Sequence, residues 1–224
     1  MVDQLKIGDI NSYDNYQASL RSRQIDPPRK KAIRETVPFS NITYDFSAIH
    51  GELFWEEREI EYVFEMIADT PEELERKKTA FAGWVMNIVE QEIHDPFIPD
   101  YHFIGTYDEM DFADDEDVEK TTATVKFKAF PYKVANNPTV VRFDVGAGAE
   151  ITGVIINNSS HRITPTINTD RAITLSIGDI SYSIGVGSTT DEIVKLVVGN
   201  NHVNIKNANA NPCVVSISFF EEVF

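Results

Sequence analysis

The sequence predicts an α+β domain, a β-sheet with one packed helix, followed by an all-β sandwich or jelly roll. Two observations predict this fold class. Within residues 53–132 the hydrophobic period changes from strand-like to helix-like and back, and neither kind of element can bury its apolar side without the other. Beyond residue 138 helix-forming residues become rare, and short runs of Val, Ile, Thr and Ser alternate with turn residues.

The first strand of the α+β half is predicted within residues 53–68. Its apolar residues fall on one side of a period-2 pattern: Ile60, Tyr62, Phe64, Met66 and Ala68. Glu59, Glu61 and Glu65 fall on the other side. This alternation is typical of a strand with one face in the core and the other in solvent.

A helix is predicted over residues 71–93. Thr70 is a suitable N-cap, Pro71 suits the first helical position, and Glu73 can complete a capping box. The apolar residues that follow recur at helical spacing: Leu74, Phe81, Trp84, Val85, Ile88 and Val89. Pro96 is predicted to end the helix, because the residue before a proline avoids the helical conformation.

Two further strands are predicted, over residues 98–107 and 121–132, with an acidic loop between them. The loop, residues 108–119, carries eight carboxylates and no basic residue, so we expect it to be hydrated. A calcium site is one alternative, although calcium loops usually have a Gly at the turn and residues 108–119 contain none. A glycosidase is another, although it would need two isolated carboxylates in a pocket.

The second half begins after a turn-forming boundary at residues 135–138 and contains many short strand-like runs. These runs cover residues 139–145, 151–157, 163–168, 172–177, 180–186, 193–198, 203–205 and 214–220. Gly178 and Asp179 lie between two of them and predict a hairpin turn. The predicted domains are therefore residues 1–135 and residues 136–224.

The chain of 224 residues carries a net charge of −16, from 36 acidic and 20 basic residues. Such a surface does not favour nucleic acid or anionic lipid, since both need Lys and Arg to neutralise phosphate. It favours solubility at high local concentration, although many bacterial proteins are simply acidic. The most basic stretch is Arg29, Lys30 and Lys31 with Arg34, which is either a solvated loop or a contact with an acidic neighbouring subunit.

Cys213 is the only cysteine, which excludes an internal disulfide, and its place in a strand-like run predicts a buried, unreactive thiol. No apolar run approaches the roughly 20 residues that cross a bilayer, and residues 1–6 show no signal-peptide pattern. We therefore expect a protein that is made in a reducing cytosol and has no membrane partner.

No catalytic, cofactor-binding or metal site is predicted, and we expect no enzyme activity. The five histidines are scattered along the chain: His50, His94, His102, His161 and His202. No pair has the i, i+4 spacing of a helical zinc site. The sequence has no Gly-x-Ser-x-Gly elbow, and neither of its Gly-x-Gly pairs is followed by the helix pattern that phosphate binding requires.

The order and spacing of these features resemble phage distal tail proteins, the baseplate hub proteins of long-tailed phages that infect Gram-positive hosts. In that family a long strand carries an Arg like Arg58, and the domain closes with a Pro-Tyr pair like Pro131 and Tyr132. A helix that opens Thr-Pro-Glu-Glu and a strand that ends Phe-Lys-Ala-Phe fit the same order.

Two more segments carry the resemblance. Residues 35–41 are similar to the family's Glu-x-Val-Pro-Gly-x-Asn-Gly turn, but Phe39 and Ile42 stand where the family has Gly, the residue that most readily adopts a positive φ. In the second half, the Asn-Asn pair at residues 157–158 and the Gly-Asn pair at residues 199–200 resemble the turns of the family's galectin-like sandwich.

The resemblance implies that residues 1–135 form a hexameric ring, with the sandwich of residues 136–224 on its outside. One face of the ring would meet the tail tube protein and the other the tail-associated spike or lysin. The sandwich would anchor receptor-binding proteins in some relatives, and DNA would pass through the ring without specific binding. The implied location is the virion tail tip of a phage or prophage, after synthesis in the bacterial host cytoplasm.

A carbohydrate-binding module that acts in host cell-wall adhesion is the alternative, because jelly rolls often bind sugars. Such sites usually present exposed Trp or Tyr side chains. Trp55 and Trp84 lie in the first half, and Tyr182 is the only Tyr of residues 136–224. This distribution weakens the alternative.

Overall fold

The computed structural model of the protein describes residues 3–36, 39, 41, 43–47, 53–114 and 119–224. The chain divides into two compact units, Met1–Lys133 with Phe224 and Val134–Val223. Each unit encloses its own cluster of buried hydrophobic residues, and the secondary structure is mostly antiparallel β-sheet. That residues 1–135 and 136–224 are independent domains stays a prediction.

The described residues of the first unit form one large sheet, one further strand pair and two helices. Its elements are β1 (Lys6–Ile7), β2 (Ile10–Asn11), α1 (Ser12–Tyr16), β3 (Ser19–Ile25), β4 (Arg34–Thr36), β5 (Thr43–Asp45), β6 (Arg58–Ile67), α2 (Pro71–Val85), β7 (Gln91–His94), β8 (Tyr101–Asp114) and β9 (Lys120–Ala129). Seven strands form an antiparallel sheet in the order β2-β1-β7-β8-β9-β6-β3. Strands β4 and β5 form a separate pair.

Strand β6 lies inside this sheet, between β9 and β3, and confirms the predicted alternation. Its buried side chains are Arg58, Ile60, Tyr62, Phe64 and Met66. This face packs against α2, where the ring of Phe81 lies 5.2 Å from the ring of Phe64 in an edge-to-face arrangement. The strand and the helix thereby bury each other's apolar side.

Helix α2 begins where the sequence predicts. The side-chain oxygen of Thr70 accepts a hydrogen bond of 3.2 Å from the backbone N–H of Glu73. The Glu73 carboxylate accepts one of 3.3 Å from the backbone N–H of Asp69, one residue before the expected donor. Pro71 occupies the first turn, so its missing N–H leaves no helical hydrogen bond unmade.

The predicted extent of the helix, residues 71–93, is wrong at its C-terminal end. Helix α2 ends at Val85, and Gln91–His94 form strand β7 between β1 and β8. The helical pattern of the sequence is overridden here by strand pairing, which buries Ile93 completely as a residue of the sheet. Val89, predicted on the apolar helix face, is 66% exposed in the connection between α2 and β7.

The predicted acidic loop, residues 108–119, is wrong for its first part. Strand β8 continues to Asp114 and pairs with β9 along most of its length. Met110 and Phe112 lie within this acidic stretch and pack against the hydrophobic cluster. They give the strand an apolar side, although most of the neighbouring residues are charged. Residues 115–118 lie outside the described residues.

The second unit contains two four-stranded antiparallel sheets. Strand β10 (Lys133–Ala135) lies at the boundary, and the strands that follow are β11 (Thr139–Val145), β12 (Glu150–Asn157), β13 (Thr166–Thr169), β14 (Ile173–Ile177), β15 (Ile180–Ile184), β16 (Gly187–Thr190), β17 (Gly199–Lys206), β18 (Cys213–Phe219) and β19 (Glu222–Val223). The sheet orders are β11-β18-β13-β16 and β12-β17-β14-β15. Both sheets contribute to one buried cluster, for example through Leu175 and Val215.

Most strands of the second half are confirmed, and one is wrong. Gly178 has a φ of 57° in the predicted hairpin turn between β14 and β15. Residues 193–198 form no strand, because the Asp191 carboxylate accepts a hydrogen bond of 3.0 Å from the backbone N–H of Ile193 and holds a turn. Instead, β16 pairs with β13. Leu196 forms an isolated β-bridge with Ile163, and its side chain is buried in the core.

Cys213 lies on β18 and is 2% exposed, so the predicted buried thiol is confirmed. Burial raises the pKa of this thiol above its ordinary value. A thiol that is both covered and protonated has little reactivity, since the thiolate is the nucleophile.

Candidate functional site

Arg58, the strand arginine of the resemblance, contacts the Pro-Tyr that closes the first unit. Its guanidinium donates a hydrogen bond to the carbonyl oxygen of Pro131 and lies 5.6 Å from the ring centre of Phe103. Arg58 is 5% exposed, and burial lowers its pKa from the ordinary value. A buried guanidinium remains charged at neutral pH, so this contact ties a cation to a backbone dipole inside the unit.

A second buried polar group forms around Asp95, and the sequence did not reveal it. The Asp95 carboxylate accepts from the Arg23 guanidinium at 2.5 Å and from the Tyr62 hydroxyl at 3.2 Å. It also accepts from the backbone N–H of Phe97 at 2.9 Å, and Arg23 lies 4.9 Å from the ring centre of Phe97. The carboxylate is therefore a structural anchor that joins β3, β6 and the turn after β7.

The basic stretch is exposed and lies beside acidic residues of its own chain. Arg29, Lys30, Lys31 and Arg34 are all exposed. The backbone of this stretch bonds to residues 54–56, and Arg29 lines a cleft that also contains three glutamates: Glu56, Glu57 and Glu59. The surface therefore presents mixed charge, which suits a partner with its own alternating charges.

The acidic hairpin of β8 and β9 is partly neutralised within the subunit. Lys128 pairs with Asp108 at 3.0 Å, and Lys126 pairs with Glu109 at 3.2 Å across the two strands. The hydrogen bonds that the two lysines donate to these carboxylates raise the pKa of both lysines. Among the described residues, the carboxylates of this hairpin form no three-membered group close enough to hold a cation.

One group of potential metal ligands does lie within the described residues. Glu92 and His94 on β7 and His102 on β8 place one ligand atom each within 4.8 Å of one another. The Glu92 carboxylate lies 3.1 Å from Nε2 of His94 and 3.9 Å from Nε2 of His102. The helical i, i+4 spacing of a zinc site is absent from these residues, because their ligand atoms meet only across two strands.

Among the described residues, the other histidines and Tyr182 do not belong to this group. His202 is exposed in the second unit, and His50 lies outside the described residues. The hydroxyl of Tyr182, the one tyrosine of residues 136–224, donates to the carbonyl oxygen of Ile193 at 3.4 Å, and its ring is half-buried against the core cluster. Tyr182 therefore does not stand free as a stacking platform for sugar.

The turn at residues 35–41 is only partly described. Phe39 has a φ of 63°, the left-handed conformation that the family's Gly would adopt easily, and its side chain is fully exposed. Such a φ is strained for a bulky side chain. Residues 37, 38, 40 and 42 lie outside the described residues.

No helix of the described residues is both long enough and apolar enough to cross a membrane.

Comparison with solved structures finds proteins of similar fold. No family model and no curated protein matches the sequence. Among solved structures, the Dit protein (gp 19.1) of phage SPP1, described as a paradigm of the hub adsorption apparatus in phages that infect Gram-positive hosts, is similar over 100% of this chain and 100% of its own, with a TM-score of 0.72 and 13% identity. A de novo designed double-stranded β-helix matches 38% of this chain and 97% of its own at 18% identity, but its TM-score of 0.28 carries no argument.

The likeness to the SPP1 protein confirms the family resemblance at the level of the fold. Arg58 and Pro131, which carry that resemblance in the sequence, meet inside the first unit. Over its whole length, the chain has the fold of a phage tail hub protein.

Proposed function

We propose that the protein is a distal tail protein, a structural component of a phage tail tip or baseplate. The observation that carries this proposal is the full-length likeness in fold to the SPP1 hub protein, at a TM-score of 0.72. The sequence resemblance supports this proposal independently, because the resemblance rests on motifs and their order rather than on overall identity. The proposed role is mechanical and connective, without catalysis.

In this proposal the first unit, predicted as residues 1–135, forms a hexameric ring. A closed ring needs heterologous contacts that repeat around one axis. Each chain carries a net charge of −16, so six copies repel one another unless their contacts are locally complementary. The exposed basic stretch at residues 29–31 and the acidic hairpin offer charges of opposite sign for such contacts.

The proposed partners follow from the position of a hub. One face of the ring would join the tail tube protein, and the other would join the tail-associated spike or lysin. DNA would pass through without specific binding, since an acidic channel releases no counterions from phosphate. The protein would be made in the host cytoplasm and reside at the virion tail tip.

The second unit is proposed to be a galectin-like sandwich that anchors receptor-binding proteins outside the ring. Its two four-stranded sheets around one core support a sandwich architecture. The half-buried Tyr182 gives no support to the carbohydrate-binding alternative.

Negative-stain electron microscopy of the purified full-length chain tests this proposal. We expect ring-shaped particles with six-fold symmetry and a central channel. Particles of single-subunit size, both for the protein alone and for the protein mixed with the tail tube protein of the same phage, would contradict it.

A further inference from the structure

We propose that Glu92, His94 and His102 form a binding site for a divalent transition-metal ion, zinc above all. The site lies on the first unit and needs only one chain. It therefore does not depend on the proposed hub function.

The sheet register places the three side chains on one face. Ile93 of β7 pairs with Phe103 of β8, and both are buried in the core. The next residues outward along the ladder, His94 and His102, therefore oppose each other on the other face of the sheet. Glu92 lies two residues before His94 and so shares that face.

The distances suit a single ion. A zinc ion with nitrogen ligands at about 2.0–2.1 Å in tetrahedral geometry holds its ligand atoms about 3.3 Å apart. Glu92 Oε2 lies 3.1 Å from His94 Nε2, and Glu92 Oε1 lies 3.9 Å from His102 Nε2. One ligand atom of each residue lies within 4.8 Å of the other two, somewhat wider than that spacing. The two imidazole rings lie 5.1 Å apart, centre to centre. Small changes of side-chain torsion would bring all three atoms onto one ion.

The ligand types select the ion. Two imidazoles and one carboxylate form a known zinc set that leaves a fourth position for water. Calcium and magnesium prefer sites made wholly of oxygen, so they should bind here weakly or not at all. The Lys6 side chain opposes His94 from β1 and adds a positive charge nearby, which lowers the affinity for any cation.

The site is partly preorganised. The His102 side chain is only 7% exposed, and the strand it occupies lies inside the sheet between β7 and β9. The side chains of Glu92 and His94 are 59% and 29% exposed, so an ion can reach them from solvent. A buried ligand held by its neighbours loses little freedom when the ion binds.

Metal titration of the full-length protein tests the proposal. The sample should be prepared without a histidine tag, freed of metal with a chelator and kept at about pH 8, where imidazole is ordinarily neutral. Calorimetry with ZnCl₂ should show one ion per chain, and Co²⁺ should give the visible absorption spectrum of a four-coordinate site. Excess CaCl₂ should not displace either ion.

Variants at the two accessible ligands make the test specific. Glu92→Gln and His94→Gln should each weaken zinc binding by at least about 10-fold, because removing even a residue that only hydrogen-bonds to a metal ligand has an effect of that size. His202→Gln, at an exposed histidine of the second unit, is the matched control and should keep the wild-type affinity. Thermal unfolding without metal should show that all three variants remain folded.

Three results would overturn the proposal. The first is the absence of zinc heat and of a cobalt spectrum for the wild-type protein at equimolar metal. The second is unchanged affinity in Glu92→Gln and His94→Gln. The third is an equal loss in His202→Gln, which would indicate binding at dispersed surface histidines.

Discussion

The Arg58 guanidinium donates a hydrogen bond to the Pro131 carbonyl oxygen and so joins the start of β6 to the segment that follows β9. Both residues belong to the motifs that carry the family resemblance, and they lie 73 residues apart in the chain. Their contact gives that motif a physical reason: a buried cation satisfies the carbonyl of a chain segment that leaves the sheet. The Phe103 ring beneath the guanidinium adds a cation–π contact.

Arg58→Met should destabilise the first unit by about 2–3 kcal/mol. Met fills similar volume but cannot donate, so the Pro131 carbonyl loses a hydrogen bond from a charged group, a contact worth about 1.5–3 kcal/mol. The cation–π contact with Phe103 is lost as well. Chemical denaturation followed by tryptophan fluorescence measures the change, since Trp55 and Trp84 both lie in this unit.

Arg76→Gln is the control for this substitution, because Arg76 is exposed on α2. It should change stability by less than about 0.5 kcal/mol. If the two substitutions lowered the free energy of unfolding equally, the Arg58–Pro131 contact would not contribute the stability expected of it.

Thr70→Ala should destabilise the first unit by about 1 kcal/mol. The variant loses the oxygen that accepts from the Glu73 N–H and leaves a helix N-terminus uncapped. Thr79→Ala is the same substitution inside the same helix and should be neutral or slightly stabilising, because Ala is the better helix former. The free energies of unfolding of both variants test this prediction. Equal stability of Thr70→Ala and Thr79→Ala would contradict a stabilising role for the capping hydrogen bond.

Tyr62 should make stability fall with rising pH in the alkaline range. Burial first, and then the charge and hydrogen bond of Asp95, raise the pKa of Tyr62 well above its ordinary value of 10.0. The unfolded chain therefore loses this proton at a lower pH than the folded chain. The stabilising effect is complete below about pH 10 and is lost above it, by at most about 1.4 kcal/mol per pH unit.

Tyr62→Phe isolates this contribution. The variant should lose about 1 kcal/mol at neutral pH with the Asp95 hydrogen bond, but its stability should fall less steeply than that of the wild type above about pH 10. Cys213, whose pKa is also raised by burial, is present in both proteins and cancels in the comparison. Parallel stability curves for the two proteins over this range would contradict the assignment.

The second unit should fold without the first. Its core cluster contains only residues of Val134–Val223, and Asn137 is exposed at the boundary. Limited proteolysis should cut near Asn137, and a chain of residues 134–223 should be soluble and unfold cooperatively. An insoluble or unstructured fragment would show that residues 136–224 are not an independent domain.

Local signals were sufficient to predict β6 and the start of α2. The alternation around Tyr62 and the capping residues Thr70 and Glu73 each act within a few positions of the chain. The end of α2 could not be predicted in this way, because Ile93 continues the apolar pattern while its backbone pairs with β8 and with β1, which lies far away in sequence. Pairing of that kind is not visible in a single periodicity.

The same limit applied to side-chain groups. His94 and His102 are eight residues apart, a spacing without meaning until β7 and β8 form a hairpin and oppose them. Arg23 and Asp95 are 72 residues apart, and no local pattern links them. Arg58 and Pro131 match positions of a family's motif, but no local pattern of the sequence indicates that they touch.

The mass of the full-length protein in solution tests the central claim, the ring-forming hub, most directly. Light scattering across protein and salt concentrations, with and without the tail tube protein of the same phage, should show a species of roughly 150 kDa, six times the chain mass of 25.3 kDa. Because like charges are screened by salt, the population of this species should depend on ionic strength. A mass of one chain under every condition would contradict the hub.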